Sequence, residues 1–211
     1  MENLFNLWAK RNPSWEKRYE DSIMGAFTDY GKRYSQFIDT RGKIFGPGYE
    51  IFIIAFFIGL YSNQTKPLTE DKSKVKTFGH AIMYWGGNED IKLGRVSYKM
   101  LQEYMFAALI ARTDIDFIAL DKGDISPRTV VDKLVEKMEE YANFGFDYIQ
   151  QHMEEQPDCF FKDGAFMQLF LEFLKPKAEG ENPQEDDEPE DFWYDVVGHL
   201  LHVKELLLFA N

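Results

Sequence analysis

The chain has 211 residues and a mass of 24.8 kDa, enough for one domain with its own hydrophobic core. Apolar residues make up 45% of it and aromatics 16%, which excludes a collagen, a disulfide scaffold and a wholly disordered tail. The formal charge of −12 is unevenly spread: residues 1–113 carry 16 Lys and Arg against 12 Asp and Glu, whereas residues 114–211 carry 8 against 24. Such a division points to a basic binding region joined to an acidic segment.

The one cysteine, Cys159, has no partner for an intramolecular disulfide, and Met1–Arg11 lacks a charged stretch followed by an apolar signal core. A cytoplasmic chain is the expectation. The longest apolar run, Ile51–Tyr61, has eleven residues, where a membrane-spanning helix needs about 20. It reads as a buried core segment, so no membrane contact is expected.

In chain order, Asn12-Pro13-Ser14 forms a helix start, because proline in the first turn loses no hydrogen bond. Trp15, Tyr19, Ile23, Phe27, Tyr30, Tyr34 and Phe37 follow at steps of three or four, which predicts one helix to about Ile38 with an aromatic core stripe. Asp39–Gly42 and Gly46-Pro47-Gly48 then bracket a short extended piece, Lys43–Phe45. Glu50–Tyr61 is apolar on every side and is read as a buried helix. A turn at Asn63–Pro67 leads to a predicted helix from about Asp71 to Trp85, closed by Gly86-Gly87. The next helix runs from about Glu89 to Arg112, with Met100, Leu101, Tyr104, Met105, Ala108 and Leu109 on its apolar side.

Ser126-Pro127 opens another helix, in which Val130, Val131, Leu134, Val135, Met138 and Tyr141 form a stripe. Gly145 is a candidate kink, and Pro157 stops the helix. Asp163–Leu174 is a short helix with Phe166, Leu169, Phe170 and Phe173 inward. Residues 176–191 hold eight acids and, after Lys177, no base, the mark of a solvated linker or acidic loop. Phe192–Phe209 is amphipathic through Trp193, Val196, Val197, Leu200, Leu201, Leu207 and Leu208. The expected architecture is all-α, with about seven helices. Residues 1–175 form the helical domain, and residues 192–211 a C-terminal helix that docks on the same core or on a partner.

Few groupings carry chemistry. Asp195, His199 and His202 fall within about 60° of one another on a helical wheel, so one face presents three ordinary metal ligands. That trio supports a metal-dependent enzyme as a third reading, while a solvated face is the bland one. Cys159 lies seven residues after His152, but Glu154, Glu155 and Asp158 surround it and would raise the thiol pKa, working against a catalytic thiolate. Asp114, Asp116, Asp121 and Asp124 fit no EF-hand spacing and read as turn and capping residues. No GxxxxGK[ST], GxGxxG or GxSxG sequence occurs, so the common nucleotide and hydrolase motifs are absent. No cofactor is expected.

The basic positions are more telling. Lys92, Arg95 and Lys99 share a helix face, and Arg41 and Lys43 sit at the glycine-bracketed turn beyond Lys32 and Arg33. Together these seven are the candidate phosphate contacts, which would give salt-sensitive, sequence-independent affinity.

Arg33-Tyr34-Ser35 through Thr40-Arg41-Gly42, followed by Gly46-Pro47-Gly48-Tyr49-Glu50 and the apolar run Ile51–Leu60, resembles the DndE family of small helical subunits of bacterial DNA sulfur modification. The likeness covers about 35 residues: a polar helix end, a Thr-Arg-Gly turn, a proline, an apolar helix and a turn near Pro67. It implies a DNA-associated, oligomeric, non-catalytic accessory protein whose basic residues touch backbone phosphate. The leading expectation is accordingly a non-enzymatic accessory or adaptor subunit, with a protein partner or a second copy of itself, and with DNA as a candidate partner. The alternative is a protein-interaction module without nucleic acid, using the amphipathic 192–209 helix or an aromatic patch.

Overall fold

The computed structural model describes residues 3–28, 45–86, 98–162 and 164–174. Its centre is the run that is apolar on all sides. Helix α3 (Gly48–Ser62) starts after Pro47, whose ring presets the backbone angle of a helix entry, and ends at Asn63 in the left-handed conformation with φ 52°. Every residue from Ile51 to Leu60 is buried, as expected of a helix with no polar face.

The partner of α3 is α6 (Pro127–Glu155), 29 residues long and so about 43 Å from end to end. Ser126 caps it by accepting the Thr129 N–H at 3.1 Å, with proline at the first helical position. Val130, Val131, Leu134, Val135, Met138, Tyr141, Ala142, Phe146 and Ile149 are buried along it. Gly145 does not end or divide the helix. It lies where α6 crosses α3: a Cβ there would stand 1.9 Å from the Ala55 carbonyl oxygen, and one on Gly59 would stand 2.2 Å from that of Tyr141. The pairing of 55 with 145 and 59 with 141 makes the helices antiparallel, touching backbone to backbone over one turn.

Shorter elements surround this pair. Helix α1 (Leu4–Ala9) is capped by Asn3 and brings Phe5 and Trp8 against Phe106, with ring centroids 5.5 and 5.6 Å apart. Phe106 belongs to α4 (Lys99–Arg112). Helix α5 (Phe117–Lys122) begins where Asp116 accepts the Ala119 N–H at 2.8 Å, the capping role expected of that acidic loop. After α6 ends, a 3₁₀ turn (Pro157–Phe161) leads to α7 (Ala165–Leu174). Phe27, Phe45, Phe160 and Phe166 pack there with centroids 5.1 to 5.3 Å apart. The chain is thus mainly α, with seven α-helices among the described residues counting the single turn α2 (Gly25–Phe27).

Two expected helices are replaced by other structure. The stretch opening at Asn12-Pro13 forms strand β1 (Ser14–Glu16), a 3₁₀ turn (Lys17–Tyr19), a π turn (Glu20–Met24) and then α2. Residues 71–85 form a 3₁₀ turn (Lys72–Lys74), strand β2 (Val75–Thr77) and a second 3₁₀ turn (Ile82–Tyr84). The strands pair antiparallel, Ser14 with Thr77, Trp15 with Lys76 and Glu16 with Val75. Local features oppose a helix at both places. Asp71 binds the Ser73 amide in a tight turn, β-branched Val75 and Thr77 favour extended backbone, and Gly79 has φ +76°. The core reading of the aromatic stripe holds for Trp15, Tyr19, Ile23 and Phe27, which are all buried; Tyr30, Tyr34 and Phe37 lie outside the described residues. The helix expected from Glu89 is described only from Lys99, and that expected from Asp163 begins at Ala165.

Candidate functional site

Six of the seven candidate phosphate contacts, Lys32, Arg33, Arg41, Lys43, Lys92 and Arg95, lie outside the described residues. So do Asp195, His199 and His202, the acidic segment 176–191 and the amphipathic segment 192–209. Lys99 is described: it is the first residue of α4 and is exposed. Among the described residues no group of three or more His, Cys, Asp and Glu is placed to hold a metal ion. Nor is any helix among them long and apolar enough to cross a membrane.

The residues that flank segments 29–44 and 87–97 are described, and they meet at the N-terminal end of α3. The Phe45 N–H binds the Phe27 carbonyl at 3.0 Å, closing the first segment at its base. Glu50, in the first turn of α3, then ties one end of each segment. Its Oε2 accepts the Gly46 N–H at 2.9 Å, and its Oε1 accepts the Tyr98 hydroxyl at 3.2 Å. Tyr49 adds a second tie, its hydroxyl accepting the Gly86 N–H at 3.1 Å while its ring stacks on Trp85, centroids 5.4 Å apart and planes 7° from parallel. Gly86 has φ +66°, and a Cβ on it would fall 2.3 Å from the Tyr98 ring, so only glycine lets the two ends of the second segment lie this close. The Gln102 amide donates to the Trp85 carbonyl at 3.0 Å and holds α4 to the same turn.

A second constellation, which sequence reading missed, joins β1 to α6. Glu16 is only 7% exposed. Its Oε1 accepts the Thr69 N–H at 2.7 Å, and its Oε2 accepts the Arg18 Nε–H at 2.5 Å. Asn143, 2% exposed, donates through Nδ2 to Glu16 Oε1 at 3.3 Å and to the carbonyls of Lys66 and Pro67 at 3.3 and 3.0 Å. Asp147 accepts from Tyr19 and from Arg18, both at 2.7 Å, and pairs with Lys66. Burial raises the Tyr19 hydroxyl above its ordinary range, and the Asp147 carboxylate adds to the rise. The same burial pushes Asp147 up, but hydrogen bonds from Lys66, Tyr19 and Arg18 outweigh it and hold that carboxyl below its usual value. Replacing Asn143 with Ala removes donors from one buried carboxylate and two backbone carbonyls and leaves a gap at a buried position, so urea unfolding is expected to show a loss of about 2 kcal/mol.

The network changes the meaning of the charge asymmetry. Arg11 pairs with Asp132, Arg18 with Asp147 and Lys66 with Asp147, so cations of the first half are neutralised by acids of the second. Lys76 and Glu20, which lie within the first half, pair at 2.5 Å. Among the described residues, the first three pairs join charges of the two halves. The His152 ring is oriented by its own helix, with Nδ1 2.9 Å from the Tyr148 carbonyl and the ring 4.2 Å from that of Tyr148. Cys159 is half-buried rather than fully buried.

Comparison with protein families, with curated proteins and with solved structures finds nothing that matches this chain.

Proposed function

We propose that the protein is a non-enzymatic accessory subunit that touches DNA backbone at the N-terminal end of α3, within a larger DNA-modification or defence assembly. The observation that carries this reading is the shared anchorage by Glu50. Segments 29–44 and 87–97, which contain Lys32, Arg33, Arg41, Lys43, Lys92 and Arg95, are tied at their ends to one carboxylate. Lys99 opens the helix that leaves the same point. The described residues from which the two segments depart thereby lie together at the N-terminal end of α3.

The test is binding of the full chain to duplex DNA at low and raised salt, with Arg41→Glu and Arg95→Glu made singly and together. One substitution lies in each segment. The reading expects salt-sensitive binding that each reversal weakens, with the salt slope falling by about one for each phosphate no longer neutralised. No binding at low salt would overturn DNA contact and leave a protein-interaction role, to be pursued by identifying what co-purifies with the chain.

A further inference from the structure

Residues 113–126, between α4 and α6, form a small knob around α5 whose internal bonds fix its shape. Asp116 caps α5 on the Ala119 N–H, and the Ala119 carbonyl accepts the Asp124 and Ile125 N–H groups at 2.8 and 3.3 Å as the chain folds back. Gly123, with φ +82°, makes the turn. Ile115, Leu120 and Ile125 are partly buried and pack against the core, so three apolar side chains seat the knob on the fold.

Two further apolar residues lie on its outer side. At 100° per residue, Phe117, Asp121, Ile118 and Lys122 follow one another around one side of α5. All four are exposed, Phe117 by 48% and Ile118 by 68%, whereas Ala119 and Leu120, on the opposite side, are half-buried. Asp114, Asp116 and Asp124 are exposed at the two ends of the helix. Four aspartates against Lys122 give residues 113–126 a formal charge of −3; Arg112 and Arg128 belong to the helices on either side.

An exposed phenylalanine and isoleucine can be covered by lipid, by nucleic acid, by a second copy of the chain or by another protein. The aspartates discriminate among these. They oppose the anionic headgroups of a membrane surface and the phosphates of DNA. In a symmetric pairing of two copies the same patch meets itself, which sets aspartate against aspartate. What remains is another protein of opposite surface charge, with the apolar pair as the buried anchor and the aspartates on the rim. The knob also stands apart from the proposed DNA contact. Because α3 and α6 are antiparallel, the start of α6 lies past the C-terminal end of α3, about 27 Å along the helix from the crossing at Gly145, and so at the opposite end of the pair from Glu50.

We propose that the side of α5 bearing Phe117 and Ile118 docks into an apolar groove rimmed by lysine or arginine on a partner protein. This goes beyond the reading of DNA contact and does not depend on it.

The experiment measures binding of the full chain to two labelled synthetic helical peptides with the same leucine face, one carrying lysine on its polar side and the other glutamate. Wild type, Phe117→Ser/Ile118→Ser and Asp121→Asn/Asp124→Asn are compared, with urea midpoints to verify folding. The lysine peptide is expected to bind wild type, to bind the first variant about ten-fold or more weakly, and to lose less on the second, with a shallower salt dependence. The glutamate peptide is expected not to bind. The first variant has the charge of wild type, so unchanged affinity would show that the peptide is drawn to acids elsewhere on the chain and would overturn the docking side. Equal binding of the two peptides, or no binding of the lysine peptide to wild type, would also overturn it. If the double variant fails to fold, Ile118→Ser alone, at the more exposed position, decides in the same way. Anionic vesicles or duplex DNA that bind wild type and release the first variant would assign the pair to lipid or to nucleic acid and overturn the proposal. Duplex affinity is expected to be unchanged in that variant, so failure of the docking side and failure of DNA contact are told apart.

Discussion

Replacing Gly145 with Ala is expected to destabilise the fold by about 3 kcal/mol or more, toward the upper end of what overpacking costs. The added methyl carbon would meet the Ala55 carbonyl oxygen at 1.9 Å and its carbonyl carbon at 2.5 Å, both far inside van der Waals contact. A neighbouring side chain can rotate away from such an intrusion; helix backbone cannot. Relief requires α3 and α6 to move apart, and their separation would loosen Phe52, Phe56, Met138 and Phe146, all buried beside the crossing. Gly59→Ala meets the Tyr141 backbone at 2.2 Å and should act in the same direction. Because both glycines relieve one crossing, the double substitution should cost less than the sum of the two singles. Ala in place of Gly at an uncrowded helix position would instead stabilise by about 1 kcal/mol. The sign of the change, read from urea midpoints, therefore decides whether the crossing is as close as described.

That crossing was invisible in the sequence for a definable reason. Periodicity reports which face of an element is apolar, and it identified most of α6 and the burial of Trp15, Tyr19 and Phe27; α3, apolar on every side, has no such face and is read as a helix from its length and its Gly-Pro-Gly entry. Periodicity does not report distance between elements, so Gly145 reads as a candidate kink when it is a point of approach. The strand pair was missed because Trp15, Tyr19 and Ile23 repeat at helical spacing while their backbone passes through strand, 3₁₀ and π geometry. Burial constrained the side chains and tertiary pairing chose the backbone. Signals against the second missing helix were present in Gly79, Val75 and Thr77. The Glu50 anchorage has no sequence signature at all. A glutamate in the first turn of a helix is ordinary, and its two partners, Gly46 and Tyr98, lie on either side of it in sequence, the second 48 positions away. The tie can be seen only once the fold has closed both segments.

Glu139 makes the stability of the fold depend on pH, in the direction opposite to most carboxylates. Its side chain lies on α6 beneath the strap that leads into β1, where Oε1 accepts the Ser14 N–H at 2.7 Å. Burial pushes its carboxyl up from 4.5 to about 7; the Ser14 hydrogen bonds and the Arg11 charge pull downward, and Glu136 adds a smaller upward push. A carboxyl whose pKa is higher folded than unfolded binds its proton more tightly in the native state. Its contribution to stability is therefore fully present below about pH 4.5, declines as the pH rises, and is lost above about 7. Glu139→Gln retains an oxygen to accept the Ser14 N–H and removes the charge. Relative to wild type, the variant should gain stability steadily between pH 4.5 and 7 and hold a constant difference above that, the change across the window being about 3 kcal/mol. Any strain from the new amide group would displace the whole curve without altering this slope, so the pH dependence isolates the ionisation from the packing. Urea unfolding at intervals across that range is the measurement; a difference between the two proteins that stays flat, or that falls as the pH rises, would show that Glu139 is ionised at no cost beneath the strap.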